Sequence, residues 1–74
     1  VKVLNKDLFD ALRLWRKERA NKEGIKPYII FSDATLIEIC NKLPRNSEEL
    51  LSIRGMGEKK FEKYGEEIIK LITQ

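Results

Sequence analysis

The chain has 74 residues, of which 42% are hydrophobic and 36% charged, and its 15 Lys plus Arg against 12 Asp plus Glu give a net charge of +3. One Cys and no His exclude an intrachain disulfide, a zinc centre built from cysteines and histidines, and any Ser-His-Asp or Cys-His catalytic arrangement. The longest uninterrupted apolar run, Tyr28 to Phe31, has only four residues, so nothing in the chain spans a membrane. No signal peptide is seen, and no Gly-x-x-x-x-Gly-Lys phosphate loop is present, so the chain by itself is not a P-loop ATPase. The composition is that of one small globular domain covering 1–74, with a modest core, since a chain of this size buries only about 60% of its unfolded surface. It begins with Val rather than Met, which suggests a piece of a longer protein. With much catalytic chemistry excluded, a binding module is the default expectation.

Asn5 is placed to cap a first helix with Asp7 in its first turn. Leu8, Ala11, Leu12 and Trp15 follow at the spacing of one buried face, with Phe9 and Leu14 at its edges. Arg13, Arg16, Lys17 and Arg19 fall mostly off that face, although Arg19 is in line with Leu8, Leu12 and Trp15 and is expected to pair with a carboxylate or stack on Trp15. The helix should end near Asn21 or Lys22, with Gly24 in the left-handed position past its end. From Ile25 to Phe31 the β-branched and aromatic residues have no partner strand, and Pro27 pushes Lys26 toward extended geometry. This segment is read as an extended, partly buried connection. Alternation along it turns Ile29 and Phe31 inward and Tyr28 and Ile30 elsewhere.

Ser32 or Asp33 caps a second helix with Leu36, Ile39, Cys40 and Leu43 on one face, stopped by Pro44. Cys40 is expected to be a small buried residue in a reducing compartment. Asn46 followed by Glu49 forms a capping-box pattern opening a short helix with Leu50 and Leu51, and Ile53 follows it. After Arg54-Gly55-Met56-Gly57, a last helix carries Phe61, Tyr64, Ile68, Leu71 and Ile72 inward, with Ile69 at the edge. Gly65 lies in that stripe. It predicts either a helix break or the close approach of another helix, because Gly there costs roughly 1 kcal/mol of propensity against Ala. The expected fold is all-α, a compact bundle of four to five short helices.

In their order and spacing these pieces resemble an HRDC (helicase and RNase D C-terminal) domain. The carriers are Leu8-Phe9, Leu12 and Trp15-Arg16, then Pro27-Tyr28 with the run from Ile30 to Leu36. Pro44, Glu49-Leu50, Ile53, Gly55-Met56-Gly57, Lys60 and Tyr64-Gly65 complete the pattern. The Ser32-Asp33-Ala34-Thr35-Leu36 stretch is most similar to HRDC domains of RecQ-family DNA helicases. The resemblance implies an auxiliary nucleic-acid-binding domain without a catalytic centre or cofactor of its own. ATP and Mg are then expected only in the core of a parent helicase acting in DNA repair and recombination. The implied partners are single-stranded or partly duplex DNA and the domain's own helicase core. The domain is expected to be a monomer, cytoplasmic and nucleoid-associated in a bacterium or nuclear in a eukaryote.

Three sets of residues are candidates for the contact. The segment Ile53 to Lys60 resembles a helix-hairpin-helix turn: Gly55 and Gly57 let the backbone approach a phosphate, the first amides of the last helix lack acceptors, and Arg54, Lys59 and Lys60 add charge. Against this, the glycines serve equally well as a plain turn, and Glu58 already occupies the helix N-terminus. Tyr28, beside Lys26, has the make-up of a base-stacking platform, or else plugs the core and shows only its hydroxyl. The basic side of the first helix, with Arg13, Arg16, Lys17 and Lys22, reads as an electrostatic track toward Lys26 or as a solvated face. Of these, Lys17, Lys22 and Lys26 are the expected contacts. Trp15, Phe9, Phe31, Phe61 and Tyr64 are expected in the core. Glu48-Glu49 and Glu66-Glu67 point to different faces and form no metal or acid/base pair. A protein-docking surface is the main alternative, with Ile29, Ile30 and Met56 as its apolar members. An RNA-binding appendage of an RNase D-like nuclease is another.

Overall fold

The structure is a computed structural model that describes residues 5–73; the expected domain limits of 1–74 extend past it at both ends, and residues 1–4 and 74 lie outside the described residues. Helix α1 (Lys6–Glu23) starts where Asn5 Oδ1 accepts the Leu8 amide at 3.0 Å. It stops at Gly24, whose φ of 71° lets the chain turn while Ile25 N–H reaches back to Ala20 O at 3.0 Å. Its buried line is Leu8, Leu12, Arg16 and Ala20, with Trp15 and Phe9 partly covered against the core. Arg16 therefore departs from expectation. It sits on the buried face, not on an exposed track.

The segment after Gly24 also departs from expectation. Pro27–Ile30 is a single helical turn, α2, entered from an extended Lys26 (φ −78°, ψ 145°). Proline suits this place because its missing N–H would have had no acceptor in a first turn. The lack of a partner strand and the extended residue before Pro27 predict an extended connection; Lys26 is extended, but the residues after it form one turn whose exit is buried. The helical turn exchanges Ile29 and Ile30 relative to the alternation: Ile30 and Phe31 are each 1% exposed, whereas Tyr28 is 64% and Ile29 50% exposed, so Phe31 and Tyr28 face as expected.

Helix α3 (Asp33–Lys42) is capped by Ser32 Oγ on the Thr35 amide and buries Thr35, Leu36, Ile39 and Cys40. Leu43, partly covered, closes it at φ 48°, and Pro44 follows. Helix α4 (Ser47–Leu51) opens with Asn46 Oδ1 on the Glu49 amide at 2.8 Å. The return arm of that cap reaches Arg45 N–H at 2.9 Å, one residue earlier than a standard capping box places it.

Helix α5 (Glu58–Thr73) runs unbroken through the buried Gly65. The expected helix break does not occur. A Cβ at Gly65 would meet the Phe61 ring of the same helix at 2.7 Å, so the glycine makes room for a side chain one turn earlier. Helix α1 packs against α2, α3 and α5, and α4 packs against α5. Trp15, Phe31 and Tyr64 meet in the middle with ring centroids 5.6 to 6.2 Å apart. The described residues form five helices and no strand, as the sequence predicts.

Candidate nucleic-acid interface

The α2 turn presents Tyr28 to solvent because its other side is occupied. Ile30 and Phe31 enter the core, and Arg16 Nη1 donates to Phe31 O at 2.9 Å. Pro27 and Lys17 line one shallow groove between α1 and α2, together with Asp10, Arg13, Leu14 and Asn21. Lys17 and Lys26 are both exposed; Lys26 immediately precedes the turn that carries the solvent-facing Tyr28, and Lys17 shares its groove with Pro27, the residue before Tyr28. Lys22 does not join that groove. It lines a different hollow with Trp15, Glu18, Arg19 and Glu67, where two carboxylates oppose its charge.

The Gly55 hairpin is built differently. Gly55 adopts φ 90°, and a Cβ there would lie 2.5 Å from Thr35 Oγ1. The Arg54 amide donates to Glu38 Oε2 at 2.8 Å, and the Thr35 hydroxyl donates to Arg54 O at 3.1 Å. Ile53 and Met56 anchor the loop in the core. At Gly57 a Cβ would meet nothing within 4 Å, and Gly57 O accepts the Phe61 amide as α5 begins. Arg54, Gly57 and Lys59 are exposed, with Glu58 at the head of the helix. Lys60 is partly covered, its ammonium 5.4 Å from the centroid of the Phe31 ring.

Met56 and Ile30, considered for an apolar docking patch, are both buried; of that group only Ile29 is on the surface, and Leu14 at 58% exposure is a member the sequence reading placed at the edge of the core face. Arg19 pairs with Glu23 and Glu67 and lies 5.1 Å from the centroid of the Tyr64 ring, so it does pair with carboxylates but stacks on Tyr64 instead of Trp15. Glu67 also accepts from the Trp15 indole N–H. Glu23 receives the Lys63 ammonium at 2.7 Å, the Arg19 guanidinium and the Tyr64 hydroxyl. These donors, Lys63 first, hold its carboxyl down to about 2. Burial, with the hydrogen bond to Glu23 adding to it, pushes the Tyr64 hydroxyl up. This clamp joins the end of α1 to α5. The roles of Thr35, Glu38 and Arg16 escaped sequence reasoning. Only Thr35 had a local signal, its position three residues past the Ser32 cap.

No group of three or more His, Cys, Asp or Glu among the described residues is arranged to hold a metal ion, and no described helix is long and apolar enough to cross a membrane. The HRDC family model matches residues 5–72. The chain is 52% identical over 61 residues to the ATP-dependent DNA helicase RecQ of Bacillus subtilis, covering 82% of this chain and 10% of that protein. It is 46% identical over 70 residues to the RecQ helicase of Haemophilus influenzae, covering 95% of this chain and 11% of that one. The chain thus spans about a tenth of the length of these curated relatives. Among solved structures, the D. radiodurans RecQ HRDC domain 3 superposes with a TM-score of 0.90 at 38% identity, covering 95% of this chain and 92% of that one. A family match across nearly the whole described chain, a five-helix fold superposing on a solved member and close bacterial relatives agree: this chain belongs to the HRDC domain family.

Proposed function

We propose that this HRDC domain serves a RecQ-like ATP-dependent DNA helicase by binding single-stranded or partly duplex DNA, with the Tyr28 turn as its contact face. The observation that carries this reading is Tyr28, left 64% exposed on a turn whose exit is buried, with exposed Lys26 just before it and exposed Lys17 in the groove that reaches Pro27. An unpaired base stacks on such a ring while the lysines meet the flanking phosphates, an arrangement that tolerates any sequence. Lys22, further along α1, and the hairpin residues Arg54, Gly55, Gly57, Lys59 and Lys60 lie outside the contact face in this reading. Binding is weak, with a dissociation constant on the order of micromolar or above, as for non-specific phosphate contacts. A weak site is useful when a linker keeps it near a strand already held by the helicase core, which raises its effective concentration. The domain performs no chemistry itself. ATP and Mg act in the core of the parent chain, a DNA repair and recombination enzyme of the bacterial cytoplasm.

Exposed Ile29 and Leu14 favour a second reading, docking on protein. A ¹⁵N chemical-shift titration with a short oligothymidylate, at low and then at physiological salt, separates the two. Shifts at Lys17, Lys26 and Tyr28 that fade with salt support DNA binding. No shift at low salt and millimolar DNA overturns it, and titration with the isolated helicase core of a RecQ relative then tests docking. Competition with an RNA oligomer of the same length addresses an RNA substrate.

A further inference from the structure

Helix α2 is one turn of four residues with no side-chain cap at its start. Its closing bond from Phe31 N–H to Pro27 O is long, at 3.5 Å. A single turn is not self-sustaining in water, so its position is set by whatever grips its ends. Arg16 grips the exit. One nitrogen of its guanidinium donates to Phe31 O at 2.9 Å, and the other pairs with Asp33 Oδ1 at 2.8 Å, at the start of α3. The rigid fork thereby holds both sides of the Phe31-Ser32 link on α1. Arg16 lies in an otherwise apolar line with Leu12 and Ala20, and its Nε is buried without a partner. An apolar residue would fill that line without stranding a donor, which makes burial alone a poor account of an arginine here. Lys17 is the next residue on α1 and faces outward.

We infer that Arg16 is the positioning residue of the Tyr28 face: by fixing the exit of α2 on α1, it sets the stacking ring at a defined distance from Lys17. This rests on the proposed role of Tyr28 in binding. A double-mutant cycle tests it, using Arg16→Met, Tyr28→Ala and the pair, with affinity for fluorescent oligothymidylate measured across a salt series and folding checked by the amide spectrum. With Tyr28 present, Arg16→Met should weaken binding at least about threefold without changing the salt slope. In the Tyr28→Ala background it should have no further effect, because coupled residues are non-additive. A purely structural role lowers the melting temperature but creates no such coupling. An equal loss in both backgrounds, or a shallower salt slope, assigns Arg16 a direct charge effect and overturns the inference. So does an unchanged affinity in Arg16→Met when Tyr28→Ala alone weakens binding. If Tyr28→Ala leaves affinity untouched, the Tyr28 reading fails first and takes the inference with it. Should Arg16→Met fail to fold, Arg16→Lys, whose single ammonium cannot span Phe31 O and Asp33 as the fork does, completes the same cycle with the same outcomes.

Discussion

The Tyr28 turn and the Gly55 hairpin are both tight connections entering a helix, and both carry cations, yet their polar groups face opposite ways. At the hairpin both backbone groups of Arg54 are employed internally: its N–H goes to Glu38, and its O takes the Thr35 hydroxyl. Ile53 and Met56 then pin the loop from below. At the Tyr28 turn the backbone is also tied inward, through Arg16, but a large aromatic side chain is left in solvent. Glycines in a turn thus report first on the turn. A surface offers a ligand only the groups that folding has not already employed.

The largest effect expected from this contrast is on stability. Gly55→Ala forces a side chain onto φ 90° and into Thr35 Oγ1. The backbone strain alone should remove about 1–3 kcal/mol. Each kcal/mol lowers the melting temperature of a domain this size by roughly 4–8 °C. Gly57→Ala, with open space around its Cβ, should stay within about 0.5 kcal/mol of the parent. Thermal unfolding of both variants checks this. If instead both glycines change DNA affinity while leaving stability alone, the hairpin is the phosphate site and the contrast is broken.

Tyr28→Ala should do the reverse. Its ring covers little, so the melting temperature should hardly move, while affinity for a single strand falls by about 1–3 kcal/mol, the worth of one stacked base. Tyr28→Phe should keep most of the affinity. A drop in stability comparable to the loss in binding would mean that the ring supports the turn instead of serving a ligand.

The sequence made the helices legible through their ends. Asn5, Gly24, Ser32, Pro44 and Asn46 each act on the backbone within a few residues, so their effect is readable without tertiary contacts. The α2 turn was not legible, because its conformation depends on burial of Ile30 and Phe31 and on an arginine eleven or more residues earlier. Arg16 was misplaced for the same reason: helical spacing gives a face, but only the neighbouring elements decide whether an arginine on its margin is drawn in. The exposure of Tyr28 was anticipated on an alternation that does not exist; the ring is outward because a helical turn puts it there. The tie from Glu38 to the hairpin spans 16 residues and had no local signature at all.

Acid tests the support that stands just ahead of the Tyr28 turn. Glu23, held at about 2 by Lys63, Arg19 and Tyr64, clamps α1 to α5 just ahead of the Tyr28 turn. Its folded value is depressed, so the clamp contributes fully above the ordinary carboxylate range, and that contribution is lost as pH falls from about 4.5 toward 2. Glu23→Gln should be less stable at neutral pH and should flatten the acid limb of stability against pH in that window, measured by chemical denaturation.

The smallest effect, and the finest division between the two regions, is in the salt dependence of binding. Lys17 and Lys59 are both exposed single charges, so removing either changes the net charge of the domain equally. A general electrostatic attraction to DNA therefore responds to both alike. A lysine that meets a phosphate displaces a condensed counterion, and its loss should make the slope of log affinity against log salt shallower by about 0.7 for a single strand. Lys17→Ala should do so, because it lies in the groove lined by Pro27, the residue before Tyr28. Lys59→Ala, beside Glu58 at the head of α5, should leave the slope nearly unchanged while lowering affinity slightly through net charge. Equal changes in slope would extend the contact across both regions, and the Tyr28 turn would then be one part of a longer strand path.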